Sequence, residues 1–310
     1  MPHRLTNRAR LAFAVAASIV PAAILAAALV GYDYYTRERT RLIRDTVGTA
    51  RALVATVDGE LAGAQAGLTG LASSPYLAAG DFSRFHVQAS STLKDLELLN
   101  VVLLDSSGRQ RLNTLRPAGA ALPDRGSPPA LLDIVRTGRP AVADLFQGPV
   151  AKSQVVAVGV PVRVGGAIRY SLSAGIAPAR LEQILTRQHL PEGWVTAVFD
   201  TSGTIVARTH QPERFVGAKG APALVKRMLE VNEDALQTDT LEGVPVISVF
   251  SRSAKTRWAV AIGIPETELQ RQLWFSMARL GIVAFLLMGT ALLLALWIGA
   301  RLWPGDPRAG

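Results

Sequence analysis

Asn100-Val101-Val102-Leu103-Leu104-Asp105-Ser106-Ser107-Gly108 reads as a buried strand running into a tight turn. Four consecutive Val and Leu residues suit a strand covered on both faces. Asp at the first and Gly at the fourth position of the turn suit a type I turn followed by a bulge. Arg109 to Leu115 is then the antiparallel second strand. The device recurs at Thr196-Ala197-Val198-Phe199-Asp200-Thr201-Ser202-Gly203, with the two Asp residues 95 positions apart. A second echo joins Ala174-Gly175-Ile176-Ala177-Pro178 to Ile262-Gly263-Ile264-Pro265-Glu266, each a strand end passing into a helix. Two similar modules of about 100 residues follow, with their boundary near Leu190.

Each module closes with a long hairpin. Gln154 to Val164 pairs with Ala167 to Ile176 across Gly165-Gly166, and Val244 to Arg252 pairs with Trp258 to Ile264. The sheets are therefore mainly antiparallel. Upstream, Ile43, Val47, Ala50, Val54, Val57, Leu61, Ala64, Leu68 and Leu71 alternate steps of four and three, the seam of one long helix. At 1.5 Å per residue this stretch reaches about 43 Å, past one small domain to touch another. The seam suits a helix packed along its own domain and a dimeric coiled coil equally well. Ser74-Pro75 ends it, and a helix from about Phe82 to Leu96 leads into the first strand.

The chain of 310 residues is 49% hydrophobic and only 18% charged, a balance that implies contact with lipid. Leu11 to Gly31 and Leu280 to Ala300 are each 21 residues without a charge, the length a helix needs to cross a bilayer. Arg4, Arg8 and Arg10 before the first favour a cytoplasmic N-terminus, and Tyr32, Tyr34 and Tyr35 after it suit an aromatic belt. Ala26 to Ala28 also allow a cleaved signal peptide, although the apolar stretch is longer than such a core requires. The expected fold class is α+β, a long stalk helix plus two antiparallel-sheet modules flanked by two transmembrane helices. The expected order is a cytoplasmic N-terminus (1–10), transmembrane helix (11–31), stalk (32–74), distal module (75–190), proximal module (191–264), exit helix (265–279), transmembrane helix (280–300) and cytoplasmic tail (301–310).

This layout resembles the double Cache sensor domains of bacterial transmembrane receptors, tandem PAS-like periplasmic modules between a stalk helix and an exit helix. Val198 to Thr209, followed by Pro212-Glu213-Arg214-Phe215-Val216-Gly217, is similar in texture to sensor regions of alphaproteobacterial histidine kinases. The resemblance implies a two-pass inner-membrane protein with residues 32–279 periplasmic, working as a homodimer. It implies a two-component input that senses a small polar or anionic ligand. Residues 301–310 are too short for a kinase, so no enzymatic activity is expected of the chain itself and a separate signalling output protein is. The alternative is a structural or assembly partner in the membrane.

The resemblance places the ligand in the distal module, between its sheet and the covering loops. Strand alternation puts Arg109, Arg111 and Asn113 on one side of their strand, and Ser171 and Ser173 opposite Tyr170 and Leu172. With room left by Ala157 and Gly159, hydroxyls at Ser171 and Ser173 and a cation at Arg111, this face suits a small anion. It reads equally as the solvent side of a sheet buried on one face. Asp144 and Phe146 fall where covering loops are expected. The amino-acid-binding subset of the family uses a constellation that includes Trp, and residues 75–190 contain none.

Other functions find little support. No Cys is present, which removes thiolate metal sites and disulfides, and the four His at 3, 86, 189 and 210 lack metal-type spacing. No nucleophile elbow or phosphate-cradling loop occurs, so no catalytic residue, metal ligand or cofactor is expected. The net charge of +9 is spread along the chain without a basic run, which argues against nucleic acid.

Overall fold

A computed structural model describes residues 7–124, 126–267, 281, 282, 285, 286, 289, 290, 293 and 297, with the side chains of 7–24 and 27 outside that description. The elements in chain order are α1 (Asn7–Ala72), α2 (Pro75–Ala78), α3 (Phe82–Leu96), β1 (Asn100–Asp105), β2 (Gln110–Asn113), α4 (Pro129–Thr137), β3 (Ala141–Gln147), β4 (Gln154–Val164) and β5 (Ala167–Ile176). There follow α5 (Pro178–Thr186), β6 (Val195–Phe199), β7 (Ile205–Arg208), α6 (Pro212–Phe215), α7 (Pro222–Glu230), β8 (Glu233–Asp239), β9 (Pro245–Arg252) and β10 (Ala259–Pro265). Asp45–Pro265 form one compact unit, and Met1–Arg44 with Glu266–Gly310 form another. Among the described residues no helix is long and apolar enough to cross a membrane. Most side chains of the expected span 11–31, most of 280–300, and the exit helix from residue 268 onward lie outside the described residues.

The two sheets share one antiparallel topology, β2-β1-β5-β4-β3 and β7-β6-β10-β9-β8. Their turns match bond for bond. Asp105 Oδ1 accepts the N–H groups of Ser107 (2.9 Å) and Arg109 (3.1 Å), and Asp200 Oδ1 accepts those of Ser202 (2.9 Å) and Thr204 (2.9 Å). Gly108 and Gly203 supply the left-handed backbone at φ +82° and +75° that closes each turn. At the other end of the hairpins Val101 N–H donates to Thr114 Oγ1 (2.9 Å), and Thr196 N–H donates to Thr209 Oγ1 (3.0 Å). The repeat legible in the strands therefore extends to the side chains that fix their register.

Both predicted closing hairpins form within a residue of their expected limits. The edge strands β3 and β8 and the helices α4 and α7 were not expected. β3 occupies the segment read as a covering loop, and its pairing with β4 breaks between Ala143 and Phe146. β8 is Glu-Asp-Ala-Leu-Gln-Thr-Asp, a polar edge strand without an alternating apolar pattern.

The seam of α1 is buried inside the chain. Ala50, Val57, Leu61 and Leu68 are at most 2% exposed and belong to one apolar cluster with Val101, Leu103, Val158 and Leu172 of the first sheet and Val198, Val260 and Ile262 of the second. From Ala50 to Leu71 the helix is thus packed along its own domain, which removes the coiled-coil reading of that seam. Polar contacts fix its register: Arg51 forks onto Glu233 (2.7 and 2.6 Å), and Asp58 accepts from Ser253 Oγ (2.6 Å) and Thr256 Oγ1 (2.8 Å). Higher up, Glu60 pairs with Arg180 (2.7 Å), and Gln65 Nε2 donates to the Ala141 carbonyl (3.1 Å).

Candidate functional site

The opposite face of the first sheet is covered. A Cβ on Gly159 would lie 2.6 Å from Ile134 Cδ1 and 3.0 Å from Leu131 Cδ2, so α4 sits directly on the space expected to be open. The remaining room is a cavity of about 30 Å³, enough for a water or two, at the end of the sheet beside the start of α4. Asn100, Asn113, Phe146 and Ser173 line it, and Ser127-Pro128 and Gly148 to Ala151 cover it.

Two amides fix its polar wall. Asn100 Oδ1 accepts from Gly175 N–H (3.2 Å), and its Nδ2 donates to Asn113 Oδ1 (3.3 Å). Asn113 Oδ1 also accepts from Leu115 N–H (3.1 Å), while its Nδ2 donates to Gln110 Oε1 (3.1 Å). Ser173 Oγ donates to the Val102 carbonyl at 3.4 Å. No charged side chain lines the cavity among the described residues. Asn100, which completes this network, carried no signal in the sequence, because it opens an apolar strand and looks like a strand-end residue.

Three of the six predicted site residues, Asn113, Phe146 and Ser173, therefore meet at this cavity. The other three stand elsewhere. The pairing of β1 with β2 slips between Leu103 and Leu104, and Arg111 is exposed in a neighbouring groove of about 310 Å³ that Asn113 also borders, with Asp81 and His86 of the α3 end. Ser171 is fully buried on the α4 side of β5, and its hydroxyl has no hydrogen-bond partner among the described residues.

Asp144 faces the second module. In the break between Ala143 and Phe146 its carboxylate accepts from Trp258 Nε1 (3.0 Å) and Thr201 N–H (3.2 Å), and also from the Thr201 hydroxyl. Thr201 belongs to the second Asp-x-Ser-Gly turn, so that turn also serves as a polar contact between modules. Phe146 at the cavity and Asp144 at this contact are two residues apart on one strand. Asp144→Ala should cost about 1–3 kcal/mol in urea unfolding, because it leaves the partly buried indole N–H of Trp258 without its acceptor. Asp144→Asn, which keeps an acceptor oxygen, should cost less.

No family model matches the chain, and no curated protein matches it. Solved structures do. The extracellular domain rpHK1S-Z16, assigned to a histidine kinase, superposes with a TM-score of 0.61 at 14% identity over 72% of this chain and 94% of its own. The fold is the double Cache fold. The ligand-binding domain of Mlp24 with asparagine gives a TM-score of 0.55 at 16% identity over 77% of this chain and 98% of its own. The ligand-binding domain of the Campylobacter jejuni chemoreceptor Tlp3 with L-norvaline gives 0.55 at 15% identity over 74% and 93%.

Proposed function

We propose that the chain is the extracytoplasmic input of a bacterial membrane receptor of the two-component or chemoreceptor kind, and that it senses a small, uncharged polar ligand. The observation that carries this reading is the covered cavity on the polar face of the first sheet, with Asn100, Asn113 and Ser173 directed at one place. Mlp24 and Tlp3 were solved with amino acids, which supports a small ligand of that size here. A zwitterion would bring two charges into a cavity that no charged side chain lines among the described residues, at a cost its amides do not offset. A neutral amide, polyol or heterocycle fits the donors and acceptors better. At about 30 Å³ the cavity is too small for such a ligand, so binding requires the turn at Gly148 to Ala151 or the start of α4 to lift.

Lifting that cover moves the strand end that holds Phe146, and through Asp144 the contact with Thr201 and Trp258. β10, which begins one residue after Trp258, leads at Pro265 into the expected exit helix. Two membrane spans complete the reading. Leu25, Leu29 and Val30 of the first expected span, and Ile282, Phe285, Leu286, Leu293 and Trp297 of the second, are all at least 57% exposed, apolar surface that lipid would cover. With the seam of α1 buried, a homodimer would use another face of the molecule.

Thermal unfolding of the full chain in detergent against amides, polyols, purines, amino acids, amines and carboxylates tests the proposal. A neutral polar class at 100 times its Kd should stabilise by about 2.7 kcal/mol. Asn113→Leu should abolish the rise, and Arg111→Ala should leave it intact. No rise with any class in a folded protein would overturn the sensing role in favour of an assembly partner.

A further inference from the structure

The second module holds an ion pair that the sensing role of the first does not use. Arg208, at the end of β7, is 3% exposed, and both ends of its guanidinium donate to Glu242, Nη1 to Oε1 at 2.7 Å and Nη2 to Oε2 at 2.8 Å. The guanidinium lies over the Phe215 ring, 4.3 Å from its centroid. Arg208 stands 95 residues after Asn113, at the same place in the repeat. It also lines a cavity of about 50 Å³ whose other walls are mostly apolar, among them Ala197, Ala221, Leu224 and Ala261, with the exposed Asp239 and with Ser248 as polar members.

The partner carboxylate comes from a short turn rather than from a strand or helix. Glu242 sits in the turn between β8 and β9, closed by hydrogen bonds from Thr240 N–H to the Val244 carbonyl (2.9 Å) and from Gly243 N–H to the Thr240 carbonyl (2.9 Å). Its hydrogen bonds to Arg208 hold its carboxyl down at about 2. A mostly apolar cavity whose one buried charge is a cation, with Asp239 exposed, is matched by a carboxylate carrying a short apolar tail, and a planar guanidinium receives a carboxylate through two parallel hydrogen bonds. Glu242 presents that same group from within the chain.

We propose that the second module is a separate binding site for short aliphatic monocarboxylates, in which Glu242 occupies the carboxylate position until the ligand displaces it and swings the β8–β9 turn outward. β8 also carries Glu233, the partner of Arg51 on α1, so displacement acts on the strand that holds the stalk helix. The site is independent of the cavity at Asn113 and goes beyond the sensing role assigned to it.

Calorimetric titration of the full chain in detergent with propionate, butyrate and valerate tests the inference, with succinate and butyramide as controls. The wild type should bind the monocarboxylates weakly, and Glu242→Gln, which keeps a hydrogen-bonding oxygen but loses the competing charge, should bind at least tenfold more tightly. Succinate and butyramide should bind neither form, since one has a second charge without a partner and the other has none for Arg208. Adding Arg208→Met to Glu242→Gln should abolish binding, while Asn113→Leu should leave it unchanged. Equal affinity in wild type and Glu242→Gln, or no binding to a folded Glu242→Gln, would mean that the pair is purely structural and would overturn the proposal. Loss of binding in Asn113→Leu would place the carboxylate in the first module and overturn it as well.

Discussion

Arg208→Met should lower the unfolding free energy of the full chain by about 3 kcal/mol, the low end of the range for breaking a buried ion pair. The side chains of Arg208 and Glu242 are 4% and 18% exposed, so both charges have surrendered most of their hydration and each depends on the other. Met fills much of the aliphatic volume of Arg, which confines the loss to the charge, its two hydrogen bonds and the stacking on Phe215. Glu242 lies in a turn and regains water by swinging out, which keeps the cost from the top of the range. Arg208→Met with Glu242→Leu should recover most of the loss, since replacing both charges leaves neither unpaired. The acid limb provides a second reading. The hydrogen bond from Arg208 holds Glu242 at about 2 against an ordinary value of 4.5, so its stabilisation is complete above pH 4.5 and is lost as pH falls through 2. Glu233, lowered chiefly by its hydrogen bond from Arg51, loses its contribution in the same direction. Urea unfolding at pH 7 and pH 3 should therefore show a smaller acid loss in Arg208→Met than in the wild type. A mutant less than 1 kcal/mol below the wild type at pH 7, with an unchanged acid loss, would refute the buried-pair account.

The sequence made the repeated elements legible because they rest on local chemistry. Asp-Ser-Ser-Gly and Asp-Thr-Ser-Gly encode their own turns through the Asp side chain, and Gly165-Gly166 closes a hairpin between two continuous apolar runs. The missing elements are those whose stability is tertiary. β8 has four acidic or amide side chains in seven residues, and it is held by its ladder to β9 and by Arg51 rather than by strand propensity. α4 is nine residues long, and it fills the hollow at Gly159 that reads from sequence as room for a ligand. The same limit applies to the site. Alternation placed Asn113 and Ser173 on one face correctly, because each strand keeps its period. It failed for Arg111, because the slip between Leu103 and Leu104 turns the alternation out of step within one residue. Asp144 was expected to cover the pocket and instead joins the two modules, since its partners Thr201 and Trp258 lie 57 and 114 residues away.

Leu61→Ala should cost about 2–5 kcal/mol, and the loss should be felt in both modules at once. Leu61 is 1% exposed and belongs to the cluster that contains the inner faces of both sheets, so the void it leaves borders a core the modules share. Each module also has a smaller core of its own, Ile134 with Leu131 and Ala143 under α4 in the first, and Met228 with Leu224 and Phe250 under α7 in the second. Those positions are the controls. Hydrogen exchange in Leu61→Ala should accelerate in β1 and β5 and equally in β6 and β10, whereas Ile134→Ala should affect only the first sheet and Met228→Ala only the second. The distinction bears on signalling, because a ligand can bias the second module only if the two share an element whose free energy both change. The buried seam of α1 is that element if the Leu61→Ala effect spreads to both sheets. Acceleration confined to one sheet would show that the modules are energetically separate, and the coupling from Phe146 through Asp144 would then have to act alone.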